Sequence, residues 1–499
     1  MIFTKSSRKR TEKVSSDDSA ISFDLLSNLT YMAALATGGS SRDQIFEMAM
    51  EQGFKTGVYF RQVYMLSKRL GYEYVRAFRM VARKAGATSV KNLLLRFGGA
   101  ITAGVSEADF LSEEARVERE QYINTYYRAL ETLTKWGDAY AALLVSVSLV
   151  VVVAMISSMI SQLGGGFVAM LTFSMVAVSS FGVYIIYRTA PVEVKTYKFR
   201  RGPVLRRLAV RVFLFMVPAG FALGAIIGLQ YGQEYFFLIA GACMFPSGFL
   251  AMKENGQIDK IDQEVAIFVR SLGKVTATLG TTVARSLSKI DTRALSTLEP
   301  YLKRLDTRLS KGVSTTLCWD SLRDELGSEL ANRSTRIFVD ATLMGGPPEK
   351  VGEIAGEYAM DAALMRSRRA VAAMPFAFLT IPLHFAMTGL MVFVLEIMIA
   401  FNLRITLALE EMDSISSGTG IDSVASLPFF QSHDMGMLSV MTSIALVSMT
   451  VSNALAPKFA MGGHPLNTAF FGGITCMMTG FNLYVIPRVA GGLLVQSPN

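Results

Sequence analysis

Chemistry in this 499-residue chain would have to come from few groups: three histidines, three cysteines and one carboxylate inside an apolar run. The hydropathy pattern puts His384 on a membrane helix, His433 in an outer loop and His464 in a cytoplasmic loop, so they cannot share one metal. Each is expected to make local hydrogen bonds. Cys243, Cys318 and Cys476 lie far apart with no histidine at ligand spacing, which supports neither a metal site nor a disulfide framework and reads as packing. The nucleotide-loop pattern G-x-x-x-x-G-K-[ST] is missing. GGPPEK at 345–350 has a lysine but lacks the loop length and the hydroxyl that would hold magnesium. Glu396 is the buried-acid candidate, since an intramembrane carboxylate is by default a candidate for proton or ion movement. It lies about two dozen residues beyond Arg369, or more than about 30 Å of helix, which places it at the outer interface. No catalytic residue, cofactor or metal is expected, and a membrane transporter or channel is the alternative reading.

The remaining polar signal is basic. The formal net charge is +9, and the cations concentrate beside apolar segments rather than in a nucleic-acid recognition module, so no nucleic acid is expected. YFRQVYMLSKRLGYEYVRAFRMVARKAG carries Arg61, Lys68, Arg69, Arg76, Arg79, Arg83 and Lys84 among aromatic and aliphatic anchors. Such a run forms either a solvated helix face or a dock for an acidic partner. The opening tail, residues 1–21, is basic and has no apolar h-region, so no signal peptide is expected.

The elements that must carry these residues are helices in alternating soluble and membrane blocks. Hydrophobic residues make up 51% of the chain and mean hydropathy is +0.37, too apolar for an ordinary soluble protein and too interrupted by charge to be membrane throughout. Charge-poor runs at about 139–160, 167–187, 208–230, 235–252, 372–400, 436–456 and 467–488 have the length needed to cross a bilayer. Gly164, Gly165 and Gly166 are expected to turn between the first two. Arg188, Lys195, Lys198, Arg200, Arg201, Arg206 and Arg207 follow the second, so that connection, and the segments sharing its side, are expected in the cytoplasm. Gly220, Gly224 and Gly228 recur every fourth residue on the third span and predict close helix packing. The expected division is a tail at 1–21, a cytoplasmic helical bundle at 22–135, four spans within 136–252, a second cytoplasmic bundle at 253–370, and three spans within 371–499 with an outer loop at 402–434. The fold class is all-α.

The helix pattern is clearest at 264–290. Phe268, Leu272, Val275, Leu279, Val283, Leu287 and Ile290 form one stripe, while Arg270, Lys274, Thr278, Thr281, Arg285 and Lys289 lie opposite. Gly280 followed by Thr281 and Thr282 predicts a helix end, then a hydroxyl N-cap. Similar punctuation occurs 241 residues earlier, where an apolar run meets Gly38 and Gly39, then Ser40, Ser41, Ile45 and Phe46. The chain reads as duplicated. An offset of 242 sets Tyr301 on Tyr59, Leu305 on Val63 and Gly346 on Gly104.

These helix pairs, and the W-x-DAY-type entry into the first span within ALETLTKWGDAYAALLVSVSLVV, resemble the type II secretion F family. Its members are the membrane platforms of type II secretion systems and type IV pili, and the match is nearest its archaeal branch, the J-type platforms of archaellum (archaeal flagellum) assembly. The resemblance implies a non-enzymatic platform in the plasma membrane, with its N-terminus and both bundles cytoplasmic. It further implies engagement by a hexameric secretion ATPase, contact with archaellin or pilin-like filament subunits and membrane lipid, and a homodimer. Whether an archaellum or an adhesive pilus is served stays open. ATPase docking is expected at Arg61, Lys68 and Arg69 in the first repeat and at Lys303, Arg304, Arg308 and Lys311 in the second. Gly39, Gly280, Gly104, Gly346, Gly220, Gly224 and Gly228 are expected to shape turns and helix packing.

Overall fold

The computed structural model describes residues 21–160, 165–197, 202–415 and 435–495. Tail residues 1–20, Gly164, Lys198, Arg200, Arg201, the loop stretch 416–434 and His433 lie outside the described residues. The protein is all-α, and seven of its helices are long and apolar enough to cross a membrane. In chain order the helices are α1 (Ile21–Ala36), α2 (Arg42–Glu51), α3 (Gly57–Lys68), α4 (Tyr74–Lys84), α5 (Thr88–Thr102), α6 (Glu107–Ile160), α7 (Gly165–Thr189) and α8 (Val204–Tyr231). There follow α9 (Gln233–Leu279), α10 (Val283–Leu287), α11 (Glu299–Ser310), α12 (Thr315–Leu326), α13 (Glu329–Leu343), α14 (Pro348–Ile415), α15 (Met435–Met461) and α16 (Asn467–Val495). Two expected breaks are helical instead. Gly165 and Gly166 belong to α7, because an unpaired backbone is costly in an apolar medium. The stretch 402–415, read as loop, continues α14 through the helix formers of LRITLALEEM.

The chain forms two compact units: one of residues 1–130, 191–204 and 254–369, the other of the remainder. The first holds most of the two segments expected as helical bundles, whose elements repeat. Starts of α2 and α10 (42 and 283), α4 and α12 (74 and 315), α5 and α13 (88 and 329), and α6 and α14 (107 and 348) are each 241 residues apart. Left-handed glycines keep the same spacing in the pairs Gly39 and Gly280, Gly71 and Gly312, Gly104 and Gly345. The partner of Gly104 is therefore Gly345, not Gly346. Val105 N–H donates to Ala100 O at 3.0 Å, and Gly346 N–H to Ala341 O at 2.9 Å, so both turns close with a Schellman bond in which the residue before Val105 or Gly346 takes the left-handed position. The offset of 242 holds locally, between α3 and α11, where Val63 and Leu305 are both wholly buried.

Cap chemistry differs between the repeats. Ser41 caps α2 and, with Gln44, completes a capping box. Thr282 occupies the matching position before α10 without a side-chain capping bond. Leu279, expected in the apolar stripe, is exposed at the end of α9.

One core runs through both repeats. Phe46, Phe60, Phe78, Phe97 and Phe110 stack in the first, with Phe78 and Phe97 centroids 4.8 Å apart and Phe97 and Phe110 4.6 Å apart. Phe268 and Trp319 meet in the second at 6.5 Å. Helix α1 is buried on every side from Phe23 to Ala36. Most of its polar groups are accordingly bonded: Ser27 Oγ to Tyr358 OH at 2.7 Å, Asn28 Nδ2 to Thr56 Oγ1 at 3.2 Å, and Tyr31 OH to Asp340 Oδ2 at 2.9 Å, while Asn28 Oδ1 has no protein partner. The two repeats thus share an interior, with the first helix of one bonded to helices of the other.

In the second unit, glycines set the helix spacing. A Cβ on Gly220, Gly224 or Gly228 would meet Cys243 or Phe236 at 2.4–3.2 Å, which is the α8–α9 packing expected from their spacing. The sequence reading missed a second seam. A Cβ on Gly241 would lie 2.7 Å from Met477 N, on Gly248 2.0 Å from Phe470 N, and on Gly480 2.8 Å from Leu238 N, so α9 and α16 touch backbone to backbone.

Candidate functional site

Of the expected docking cations, those of the second repeat are largely bound within their own unit. On α11, Lys303 Nζ lies 2.7 Å from Glu299, one turn earlier. Arg304 Nε donates to Glu325 Oε2 of α12 at 2.8 Å, and Arg308 Nη2 bonds the other oxygen, so one carboxylate joins two arginines. Such pairing fixes α11 on α12 and occupies the forks that would grip a partner. Lys311 follows the last turn of α11 and is exposed.

In the first repeat, Arg61 and Arg69 are exposed on and just after α3. Lys68 pairs with Asp43 of α2, which also accepts from Tyr74 OH. Burial works to raise the Asp43 carboxyl, but the bonds from Lys68 and Tyr74 outweigh it and hold it below the ordinary range. Lys68 is thus a strut between helices.

The cytoplasmic connection expected after the second span does more than carry charge. Residues 191–197 lie as a strap in the first unit. Arg369 Nη1 donates to Pro191 O at 2.8 Å and Arg366 Nη2 to Val194 O at 3.3 Å. Glu193 accepts from Tyr126 OH of α6 and faces Arg366 at 3.7 Å. Lys195 Nζ pairs with Asp259 of α9 at 2.6 Å, while its carbonyl accepts from Glu329 N–H at 3.2 Å. An isolated antiparallel bridge joins Thr196 to Ser328. Arg366 also pairs with Asp262, a fully buried carboxylate that takes a bond from Ser328 as well. Burial pushes Asp262 upward, with Arg366 opposing. Three helices, α6, α9 and α14, therefore hold one connecting segment through charge-assisted bonds and α13 holds it through backbone bonds, and no periodicity in the sequence foretold it.

A second buried arginine crosses between repeats. Arg333 of α13 pairs with Asp24 of α1 at 2.7 Å and with Glu329 at 2.6 Å, donates to Ser27 at 2.8 Å, and lies 4.9 Å from the ring centroids of Phe23 and Phe54. Removing one member of such a set leaves a buried charge uncompensated, a loss of about 3–5 kcal/mol. Beside it, a cavity of about 400 Å³ opens among α1, α6 and α14. Its charged rim is already paired: Arg119 bonds Glu357 at 2.6 Å and Asp361 at 2.9 Å.

In the second unit His384 is wholly buried with both ring nitrogens in hydrogen-bond reach of neighbours. Nε2 lies 3.1 Å from Thr475 O and 2.9 Å from Thr479 Oγ1, Nδ1 lies 3.1 Å from Asn453 Nδ2, and Tyr140 OH donates to Asn453 Oδ1 at 3.0 Å. One assignment satisfies every group: Nε2–H donates to Thr475 O, and Nδ1 accepts from Asn453. The cluster ties α6, α14, α15 and α16 by hydrogen bonds that an apolar surround makes costly to break. His464 Nδ1 accepts from Leu466 N–H at 3.2 Å before α16. Burial, then Arg206 and Lys458, push it down to about 4, so the ring is neutral at pH 7. Glu396 is partly buried on α14. Among the described residues no cluster of His, Cys, Asp or Glu is arranged to hold a metal ion. The arrangement's chemistry is that of ion pairs and hydrogen bonds that hold helices together.

No family model matches the chain, and no solved structure matches it. Two curated proteins do. Flagella accessory protein J of Methanocaldococcus jannaschii is 24% identical over 326 residues, covering 63% of this chain and 56% of that protein. Flagella accessory protein J of Methanococcus voltae is 22% identical over 313 residues, covering 60% of this chain and 55% of that protein. The chain thus matches little more than half the length of either relative. Its duplicated helical layout and seven apolar helices accompany sequence similarity to the flagella accessory J proteins, the archaeal branch to which the helix motifs point.

Proposed function

We propose that the chain is the plasma-membrane platform of an archaeal type IV filament machine, archaellum or pilus. The observation that carries this reading is the similarity to two flagella accessory J proteins over about 60% of the chain. The first unit faces the cytoplasm, and the strap at 191–197, bonded to α6, α9, α13 and α14, ties the connection between two spans to it. A hexameric secretion ATPase engages that unit, and its movement passes through the strap and the long helices to the spans that handle archaellin or pilin-like subunits. The chain itself is not an enzyme in this reading, and a homodimer presents two such units beneath one ATPase.

The full chain in nanodiscs, mixed with the purified secretion ATPase of the same organism, should capture that ATPase and raise its turnover. Orientation is tested in the same cells by labelling single cysteines placed at Lys91 and Lys311 with a membrane-impermeant maleimide, which should react only after lysis. Failure of the ATPase to bind, or labelling in intact cells, would remove the reading.

A further inference from the structure

Helices α4 and α12 carry opposite charge at three of four equivalent outward positions. With the 241-residue spacing of α4 and α12, the core residues correspond: Phe78 with Trp319 and Val81 with Leu322, all buried. On the outward side Arg76 corresponds to Leu317, Arg79 to Asp320, Arg83 to Asp324 and Lys84 to Glu325. The α12 acids serve their own repeat, since Glu325 holds Arg304 and Arg308 and Asp320 holds Arg323 at 2.6 Å. Among the described residues Arg79, Arg83 and Lys84 make no ion pair, and Arg76 only overlies the Tyr72 ring at 5.1 Å. Arg83 and Lys84 in the last turn of α4 also suit the helix dipole, but Arg76 and Arg79 lie in its first turns. Arg69 just after α3 and Lys91 on α5 are exposed as well, and between Leu70 and Lys91 the one acid is Glu73.

We infer that the α4 face of the first repeat, built on Arg76, Arg79 and Arg83, docks an acidic surface of a protein partner, and that the second repeat offers no equivalent dock. Charge sign selects the partner's chemistry, and arginine's planar fork favours paired carboxylates.

The inference deepens the platform reading and takes its probe, the secretion ATPase, from it. The full chain in neutral-lipid nanodiscs is compared with the R76E/R79E/R83E variant, an R76K/R79K/R83K variant and a K303E/K311E variant, each checked for unfolding temperature. Charge reversal on α4 should weaken ATPase capture about tenfold or more at low salt, with wild type and variant converging above about 0.5 M. The lysine variant should keep most of the binding, and K303E/K311E should change it little. Capture by the wild type that is equally strong in a folded R76E/R79E/R83E variant, or that fails only in K303E/K311E, overturns the α4 dock while leaving the platform intact. No capture by the wild type removes both. Binding of phosphatidylglycerol vesicles that is lost on α4 reversal, with ATPase capture unchanged, would reassign the face to lipid.

Discussion

The two repeats of the first unit share a backbone plan and solve its interior differently. The α9–α14 crossing is made by glycines: a Cβ on Gly273 would lie 2.4 Å from Pro348 O, and one on Gly352 2.9 Å from the Gly273 Cα. At the equivalent positions, 241 residues earlier, stand Met32 and Leu111, both wholly buried. One repeat lets helices touch and the other fills the space with side chains, and both reach close packing. The left-handed glycines allow no such exchange. Gly71 and Gly312, like Gly104 and Gly345, keep the same φ region, because an L side chain is strained there whatever surrounds it. Turn geometry therefore persists through duplication while crossings and surfaces drift. Buried charge drifts as well: Glu118 on α6 corresponds to Ala359 on α14.

The sharpest test transplants one solution into the other repeat. Gly273→Met, which places the first-repeat residue at the second-repeat crossing, should drive α9 from α14 and cost more than about 3 kcal/mol. Thermal unfolding of the full chain in nanodiscs, followed by reaction of the buried Cys318 thiol, measures it. A change below about 1 kcal/mol would mean that the crossing has slack the coordinates deny. Next, Phe78→Ala and Trp319→Ala should each cost about 3–5 kcal/mol and displace the same unfolding transition of the shared core. Two transitions, each responding to one variant, would show that the repeats melt as separate bodies.

The smallest effect concerns Glu118, which accepts from Ser22 Oγ at 3.0 Å. Burial pushes its carboxyl above the ordinary value of 4.5, and Ser22 and Arg96 oppose this only in part. A carboxyl raised in the fold stabilises it fully below the unfolded value, and that contribution is lost as pH rises through the folded value. Glu118→Gln should therefore raise the unfolding temperature at pH 7, and the gain should fade as pH falls toward 4.5. A gain independent of pH would contradict the burial account.

Much of this plan was legible in residue order. The 3.6-residue stripe through Phe268 and Leu272, the Gly-Gly-Ser-Ser punctuation at 38–41, the glycine ladder at 220, 224 and 228, and the seven apolar runs are local signals, and each depends on neighbours within a few turns. The repeat was legible too, although an offset one residue long put Gly346 where Gly345 belongs. The error came from α3 and α11, where the spacing is 242 rather than 241. What stayed hidden was partnership. Residue spacing alone did not reveal that Arg304 and Arg308 both bind Glu325, nor that Lys195 and the carbonyls of Pro191 and Val194 are held by residues more than sixty positions away.

By itself the sequence determined the helix end at Gly280, which stretches suit a bilayer, and that the layout of the 22–135 segment recurs in 253–370, because those properties follow from backbone sterics and from apolar periodicity along one helix. Tertiary structure alone decided that the two repeats share one core with α1 buried in it, that Arg304 and Arg308 of α11 pair with α12, and that the cations of α4 make no ion pair among the described residues. Ion pairs and helix crossings depend on distances of a few ångströms between residues remote in the chain, and a charge carries no mark in the sequence of which opposite charge will reach it first.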